Sequence, residues 1–115
     1  MSESGEQSRI MLALGGSQHI RIFRNNVGLA RFPDGSTVRY GLCPGSADLI
    51  GWKTVTITQD MVGQQFAQFL SVECKATGRN IKKGSNQDAW FFAVKKAGGI
   101  ALVAHTPDDV KPLLG

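Results

Sequence analysis

Alternation between hydrophobic and polar positions predicts strands in several parts of the chain. His19–Arg24, Lys53–Thr58 and Phe69–Lys75 each alternate with a period of two. Residues 100–104 form a wholly apolar run after two glycines, which is typical of a strand buried on both faces. A short extension at 37–40 and a short apolar run at 47–51 each follow a turn that contains proline and glycine.

Three further segments have the spacing of helices. Residues 3–14 combine helix-forming residues with apolar positions and end at the pair Gly15-Gly16. A second helix is predicted from the helical spacing i, i+3, i+4 and i+7 of Gln87 and three apolar residues, Trp90, Phe91 and Val94. The sequence Thr106-Pro107 with two following aspartates predicts the start of a third helix at the carboxyl end of the chain.

Together these elements predict an α/β fold with a mixed β-sheet flanked by helices, in the order α-β-β-β-α-β-α. The strand, helix and strand at 69–104 are expected to form a parallel crossover. At 115 residues and without an internal repeat, the chain is expected to be one domain spanning residues 1–115.

Composition narrows the class of protein. No apolar run reaches the roughly 18 residues of a membrane helix, and the amino terminus lacks the pattern of a signal peptide. We therefore expect a cytoplasmic protein without membrane contact, in which Cys43 and Cys74 are reduced thiols. The net charge is +4, and basic residues concentrate in the second half, a surplus compatible with binding a polyanion.

Candidate chemistry lies at the end of the strand 69–75. Alternation places Glu73 and Lys75 on one face, opposite Leu70, Val72 and Cys74. A carboxylate and an ammonium side by side form either a surface charge pair or part of a site. Asp48 enters a short apolar run, where an unpartnered carboxylate is costly, so it is either a capping or turn residue or part of a site. Two carboxylates from neighbouring strands would repel unless a hard cation such as Mg²⁺ lay between them.

The order of these motifs resembles a known group of nucleases. Gly-Ser-Ala-Asp-Leu-Ile-Gly at 45–51, Val-Glu-Cys-Lys-Ala at 72–76, Gln87 with Trp90, and the apolar run after Gly98-Gly99 resemble the VRR-NUC group of the PD-(D/E)XK superfamily. Residues 23–28 also resemble that group's first strand and turn. The resemblance implies a restriction-endonuclease-like core and hydrolysis of phosphodiester bonds with Mg²⁺ or Mn²⁺, without an organic cofactor.

The resemblance also implies roles for individual residues. Asp48 and Glu73 would be the metal carboxylates, the main-chain carbonyl of Cys74 would add an oxygen ligand, and Lys75 would act on the attacking water or the scissile phosphate. Gln87 matches a glutamine that supports the site in similar nucleases. A first-helix carboxylate would be Glu3, although a capping interaction between Ser4 and Gln7 would favour Glu6 instead. Ala47 replaces the proline implied by the superfamily name.

DNA is the expected substrate. The loop after the 69–75 strand carries Arg79, Lys82 and Lys83, which would contact phosphates. Similar minimal domains imply a homodimer acting on branched DNA, including four-way (Holliday) junctions, where two sites cut symmetric strands. The alternatives are a nickase or exonuclease without junction preference, a catalytically idle DNA-binding module, and an α/β scaffold whose Glu-x-Lys arose by chance. No role is predicted for His19 or His105.

Overall fold

A computed structural model describes the backbone of residues 3–114 and the side chains of residues 5–114. The described chain is of the mixed α/β class. Main-chain proximity divides it into two compact units, Met1–Thr56 and Ile57–Gly115. The elements are helix α1 (Glu3–Gly15), strands β1 (Ile20–Arg24), β2 (Gly28–Arg31), β3 (Thr37–Tyr40), β4 (Leu49–Lys53) and β5 (Leu70–Cys74), helix α2 (Asn86–Lys96), strand β6 (Ile100–Ala104), and two 3-10 helices at Gln59–Met61 and Pro107–Leu113.

In the first unit, β1 and β4 form an antiparallel pair against which α1 lies. The guanidinium of Arg24 at the end of β1 donates to Gln7 Oε1 at 2.9 Å and to Ser8 Oγ at 3.0 Å, and so joins the strand to the helix. Gly51 in β4 faces Ile22, and a Cβ at position 51 would lie 1.8 Å from the main-chain oxygen of Arg21. Only glycine permits the two strands to approach this closely.

A hairpin of β2 and β3 completes the first unit. Its turn is held by Asp34, whose carboxylate accepts hydrogen bonds from the main-chain N–H and the hydroxyl of Ser36. The side-chain bond and then the main-chain bond from Ser36 lower the pKa of Asp34 below 3.8. The turn and β3 were predicted, but β2 was not, because Gly28 and Ala30 give a four-residue strand almost no hydrophobic signal.

The alternating segment Lys53–Thr58 was expected to be extended as a strand, and that expectation is wrong. Strand β4 ends at Lys53, and residues 54–58 have no regular structure. Lys53 pairs with Ile20, the first residue of β1. Beyond this pair, one further main-chain hydrogen bond extends the pairing, from Thr54 N–H to the His19 carbonyl just before β1. Alternation predicts which side chains would share one face of a strand, but a strand also requires a neighbouring strand with which its main chain can form hydrogen bonds.

In the second unit, β5 and β6 are parallel and α2 connects them, as the sequence predicted. The core is small and lies between α2 and β6, where Val94 is 1% exposed, Ala101 4% and Ala104 8%. Helix α2 ends where Gly98 adopts a φ of 93°, a conformation that favours glycine.

Helix α2 covers the more polar face of β5. The indole of Trp90 donates to Ser71 Oγ at 2.8 Å, and its ring meets Phe69 edge-on with centroids 6.0 Å apart. Leu70 and Val72, on the other face of the strand, remain 52% and 38% exposed. The predicted alternation is therefore present, and the side of the strand that carries Glu73 is the side packed under the helix.

The third predicted helix forms, but as a 3-10 helix over Pro107–Leu113. Pro112 lies inside it and has no N–H to donate, which disfavours continued α-helical bonding. Among residues 3–114 the strands form three separate pairs, two antiparallel and one parallel, rather than one continuous mixed sheet. No helix in the described chain is both long enough and apolar enough to cross a lipid bilayer.

Candidate functional site

Three polar side chains meet at the carboxyl end of β5, and we call them the Glu73 cluster: Glu73, Lys75 and Gln87. Glu73 lies on the α2 side of β5, and Gln87 lies in the first turn of α2. The amide of Gln87 donates to Glu73 Oε1 at 2.8 Å. Lys75 Nζ lies 3.7 Å from the same oxygen. The helix therefore orients the carboxylate, and the residue that directly follows β5 places a cation beside it.

The charged side chains of the Glu73 cluster are partly exposed to solvent. The side chain of Glu73 is 34% exposed and that of Lys75 is 26% exposed. An ion pair so open to solvent adds little to stability. Both contacts of the carboxylate within residues 5–114 go to Oε1, which leaves Oε2 available to a further ligand. The Glu73 carboxylate is therefore held by two neighbours through one oxygen and is partly open to solvent.

The main-chain carbonyl of Cys74 points away from β6. The N–H of Lys75 donates to the Ala104 carbonyl at 3.1 Å, and Ile100 N–H donates to the Phe69 carbonyl at 2.8 Å. Successive peptide groups along a strand point to opposite sides, so the carbonyl at position 74 is directed to the other edge of β5. A carboxylate and a carbonyl are oxygen donors of the kind that Mg²⁺ and Mn²⁺ accept.

The start of α2 is fixed by a pair of reciprocal caps. The Ser85 hydroxyl accepts from Asp88 N–H at 3.2 Å, and the Asp88 carboxylate accepts from Gly84 N–H at 2.8 Å. The first bond satisfies an N–H group that a helix start otherwise leaves open, and the second ties the residue before the N-cap to the first turn of the helix. Because Gln87 lies between the capping residues, they also determine where its amide meets Glu73.

Asp48 belongs to the first unit and lies directly before β4, with an exposed side chain. The loop that carries it is organised by Asn25, which is only 7% exposed. The Asn25 amide donates to Ser46 Oγ at 2.7 Å and to the Ala47 carbonyl at 2.8 Å, while its Oδ1 accepts from Leu42 N–H at 3.0 Å. Asn25 N–H also donates to the Asp48 carbonyl at 2.8 Å.

Asn25 is a positioning residue that the sequence analysis missed. Asparagine is frequent in turns, so Asn25 and Asn26 give the same signal in the sequence. The structure separates them, since Asn25 is buried and Asn26 is exposed. A polar residue at the end of an alternating strand was the available signal, but the sequence does not say which of two adjacent asparagines points inward.

Helix α1 contains both candidates for the first-helix carboxylate, Glu3 and Glu6. Glu3 lies in α1, but its side chain lies outside the described residues. The Glu6 carboxylate lies 3.6 Å from the guanidinium of Arg9, and both side chains are at least half exposed. Gln7, in the same helix, accepts a hydrogen bond from Arg24.

The predicted phosphate-binding residues lie in the loop between β5 and α2, residues 76–85, which we call the basic loop. Arg79, Lys82 and Lys83 are all exposed there. The loop is tied to the end of β6 by His105, whose Nε2 lies 2.6 Å from the Arg79 carbonyl. No role for His105 was predicted, because it has no partner at metal-ligand spacing in the sequence.

Asp109 lies on the other side of the His105 ring. Its Oδ2 accepts from the main-chain N–H of His105 at 2.7 Å and of Thr106 at 3.2 Å, and lies 3.5 Å from His105 Nδ1. The main-chain bond from His105, followed by that from Thr106, lowers the pKa of Asp109 below 3.8. A carboxylate therefore stays ionised next to the imidazole.

The structure thus brings together three residues of the predicted site, Glu73, Lys75 and Gln87, while the carbonyl of Cys74 is directed to the edge of β5 away from β6. Asp48 lies in the other unit, held by Asn25. Within residues 5–114, no three His, Cys, Asp or Glu side chains gather as a ready-made metal site. Comparisons with models of protein families, with curated proteins and with solved structures gave no significant match to this chain.

Proposed function

We propose that this chain is a metal-dependent DNA endonuclease of the VRR-NUC type, with a restriction-endonuclease-like core. The observation that carries the proposal is the Glu73 cluster next to the basic loop. A carboxylate oriented by Gln87, a lysine 3.7 Å from it and three exposed basic side chains share one end of the second unit. Hydrolysis of a phosphodiester needs such a combination of negative ligand and positive charge.

Each residue of the Glu73 cluster has a distinct proposed task. Glu73, with the Cys74 carbonyl, would hold Mg²⁺ or Mn²⁺, and the resemblance to VRR-NUC domains assigns Asp48 the role of the second metal carboxylate. Such an ion, when bound, supplies Lewis acidity at the scissile phosphate. Gln87 keeps the Glu73 carboxylate in one orientation. Lys75 places a fixed positive charge where negative charge develops on the phosphate, or orients the attacking water.

The basic loop would hold the DNA backbone near this site. Arg79, Lys82 and Lys83 are exposed and unshielded by the fold, so they are free to approach phosphates. Contacts of this kind add affinity without reading sequence. Selectivity would then come from the shape of the substrate, which favours a structure-specific enzyme over one that recognises a base sequence.

A homodimer acting on branched DNA, such as a four-way junction, is the form we propose. A chain of 115 residues offers one small surface to DNA. Two copies related by a two-fold axis would present two equivalent sites to two symmetric strands. The proposal of a dimer follows from size and from the resemblance to minimal VRR-NUC domains.

The test compares the wild type with Lys75→Ala on a labelled four-way junction and on a matched linear duplex, each with Mg²⁺, Mn²⁺ or EDTA. Lys111→Ala is the matched control, since Lys111 forms an exposed ion pair with Asp108. We expect metal-dependent symmetric cuts in the junction. Lys75→Ala should slow cutting by at least about 100-fold, as expected when one charge-stabilising group is lost.

The outcomes separate the alternatives. Equal cutting of duplex and junction would leave a nuclease without junction preference and would refute the structure-specific part. Metal-independent binding without cutting would indicate an idle DNA-binding module. If the wild type neither binds nor cuts DNA, the Glu-x-Lys pair is a chance feature of an α/β scaffold and the proposed function is wrong.

A further inference from the structure

The basic loop has a defined conformation rather than being a loose connection. Its main chain makes two turns, in which Arg79 N–H donates to the Ala76 carbonyl at 2.9 Å and Ser85 N–H donates to the Lys82 carbonyl at 3.1 Å. Both bonds are local in sequence. They shape each half of the loop but do not fix the loop against the sheet.

The contact with His105 supplies that attachment. His105 is 26 residues away from Arg79 in sequence. Because β5 and β6 are parallel, their carboxyl ends lie at the same edge, and the residue that follows β6 is next to the loop that follows β5. A carbonyl oxygen can only accept, so the 2.6 Å contact requires a proton on His105 Nε2.

Asp109 lies on the other side of the ring that makes this contact. Two main-chain N–H groups hold its carboxylate, and Oδ2 lies 3.5 Å from His105 Nδ1. Carboxylate, imidazole and the Arg79 carbonyl therefore form one chain of contacts. The imidazole therefore lies between the start of the 3-10 helix and the basic loop.

We infer that His105 is a positioning residue, which holds the main chain at Arg79 so that the basic loop is ready to receive a DNA phosphate backbone beside the Glu73 cluster. This inference rests on the proposed function. A loop held in place before binding loses less conformational freedom when DNA arrives, so its phosphate contacts are more effective. His105 itself touches neither the reacting phosphate nor the carboxylates of the proposed site.

The first test needs no activity and measures the loop directly. Full-length protein without DNA is digested briefly with trypsin, which cuts after arginine and lysine, and the product cut after Arg79 is followed by mass spectrometry. We expect His105→Ala to accelerate this cut about 5-fold. His105→Gln should stay close to wild type, because its amide nitrogen reaches the place of Nε2. His19→Ala is the matched control and should not change the rate.

The second test links the loop to DNA. Affinity for a fluorescent four-way junction is measured in EDTA, and cleavage in Mg²⁺ is measured over a range of DNA concentrations. His105→Ala should raise Kd and KM about 5-fold and leave kcat within about 2-fold, with recovery in His105→Gln. This separation of KM from kcat distinguishes a positioning role from a catalytic one.

Each result decides something different. If His105→Ala is digested at the wild-type rate, His105 does not hold the loop and the inference is wrong. If digestion accelerates but affinity does not change, the loop is held but takes no part in binding, and the inference is also wrong. If the wild type neither binds nor cuts DNA, the proposed function has failed, independently of what trypsin shows.

Discussion

Replacing Asn25 with alanine tests how the Asp48 loop is built. The variant removes three side-chain hydrogen bonds, to Ser46 Oγ, to the Ala47 carbonyl and from Leu42 N–H. Each such bond contributes about 1 kcal/mol net, and more when a buried partner is left unsatisfied. Because Asn25 is 7% exposed, water does not easily replace the amide. We expect Asn25→Ala to lower the free energy of unfolding by about 3 kcal/mol.

Urea denaturation followed by tryptophan fluorescence measures this change. Trp52 in β4 lies 5.8 Å from Phe23 between ring centroids, so its emission reports on the unit that contains Asn25. The matched control is Asn26→Ala, which alters the adjacent, exposed asparagine and should change stability by no more than about 0.5 kcal/mol. If the two variants lost similar stability, or if Asn25→Ala lost less than about 1 kcal/mol, the proposed role of Asn25 would be refuted.

The remaining predictions concern one hydrogen bond and one carboxylate. Gln87→Ala removes the 2.8 Å hydrogen bond to Glu73. Orienting the carboxylate is expected to lower the activation free energy of cleavage by about 1.4 kcal/mol, so single-turnover cleavage should slow about 10-fold. The urea midpoint should stay unchanged. Wild-type cleavage by this variant would contradict the assigned role. Asp109 has a lowered pKa, caused first by the main-chain N–H of His105. Its ionised form therefore stabilises the fold above pH 3.8, and this contribution is lost as the pH falls from there through the lowered pKa. Unfolding midpoints measured between about pH 5 and pH 2.5 should fall less steeply for Asp109→Asn than for wild type, and identical profiles would show that the main-chain bonds do not stabilise the folded carboxylate.

Much of the second unit was predictable because its signals are strong and local. The stripe ending at Val94 has helical spacing, and Val94 is 1% exposed in α2. The alternation in β5 and the apolar run of β6 predicted two strands, and the helix between them made a parallel pair the expected arrangement. Alternation also placed Glu73 and Lys75 on one face, and the structure has Lys75 Nζ 3.7 Å from the Glu73 carboxylate.

The sequence was a poorer guide where structure depends on a distant partner. Val55 and Ile57 alternate as they would in a strand, yet they are 49% and 70% exposed in an irregular segment, because β1 is too short to pair with them. Asn25 and His105 act through main-chain groups 17 to 26 residues away. Such contacts leave no motif, since any residue can present the carbonyl or N–H that is bound.

Packing and proposed chemistry share one side of β5, and this affects which substitutions the strand can accept. Ser71 and Glu73 face α2, where an enlarged side chain at position 71 would displace Trp90 and shift the helix that carries Gln87. Leu70 and Val72 face the open side, so exchanges among apolar residues are easily accommodated there. Substitutions tolerated along β5 should therefore alternate with a period of two. Positions under the helix should accept few side chains, and the positions between them should accept many.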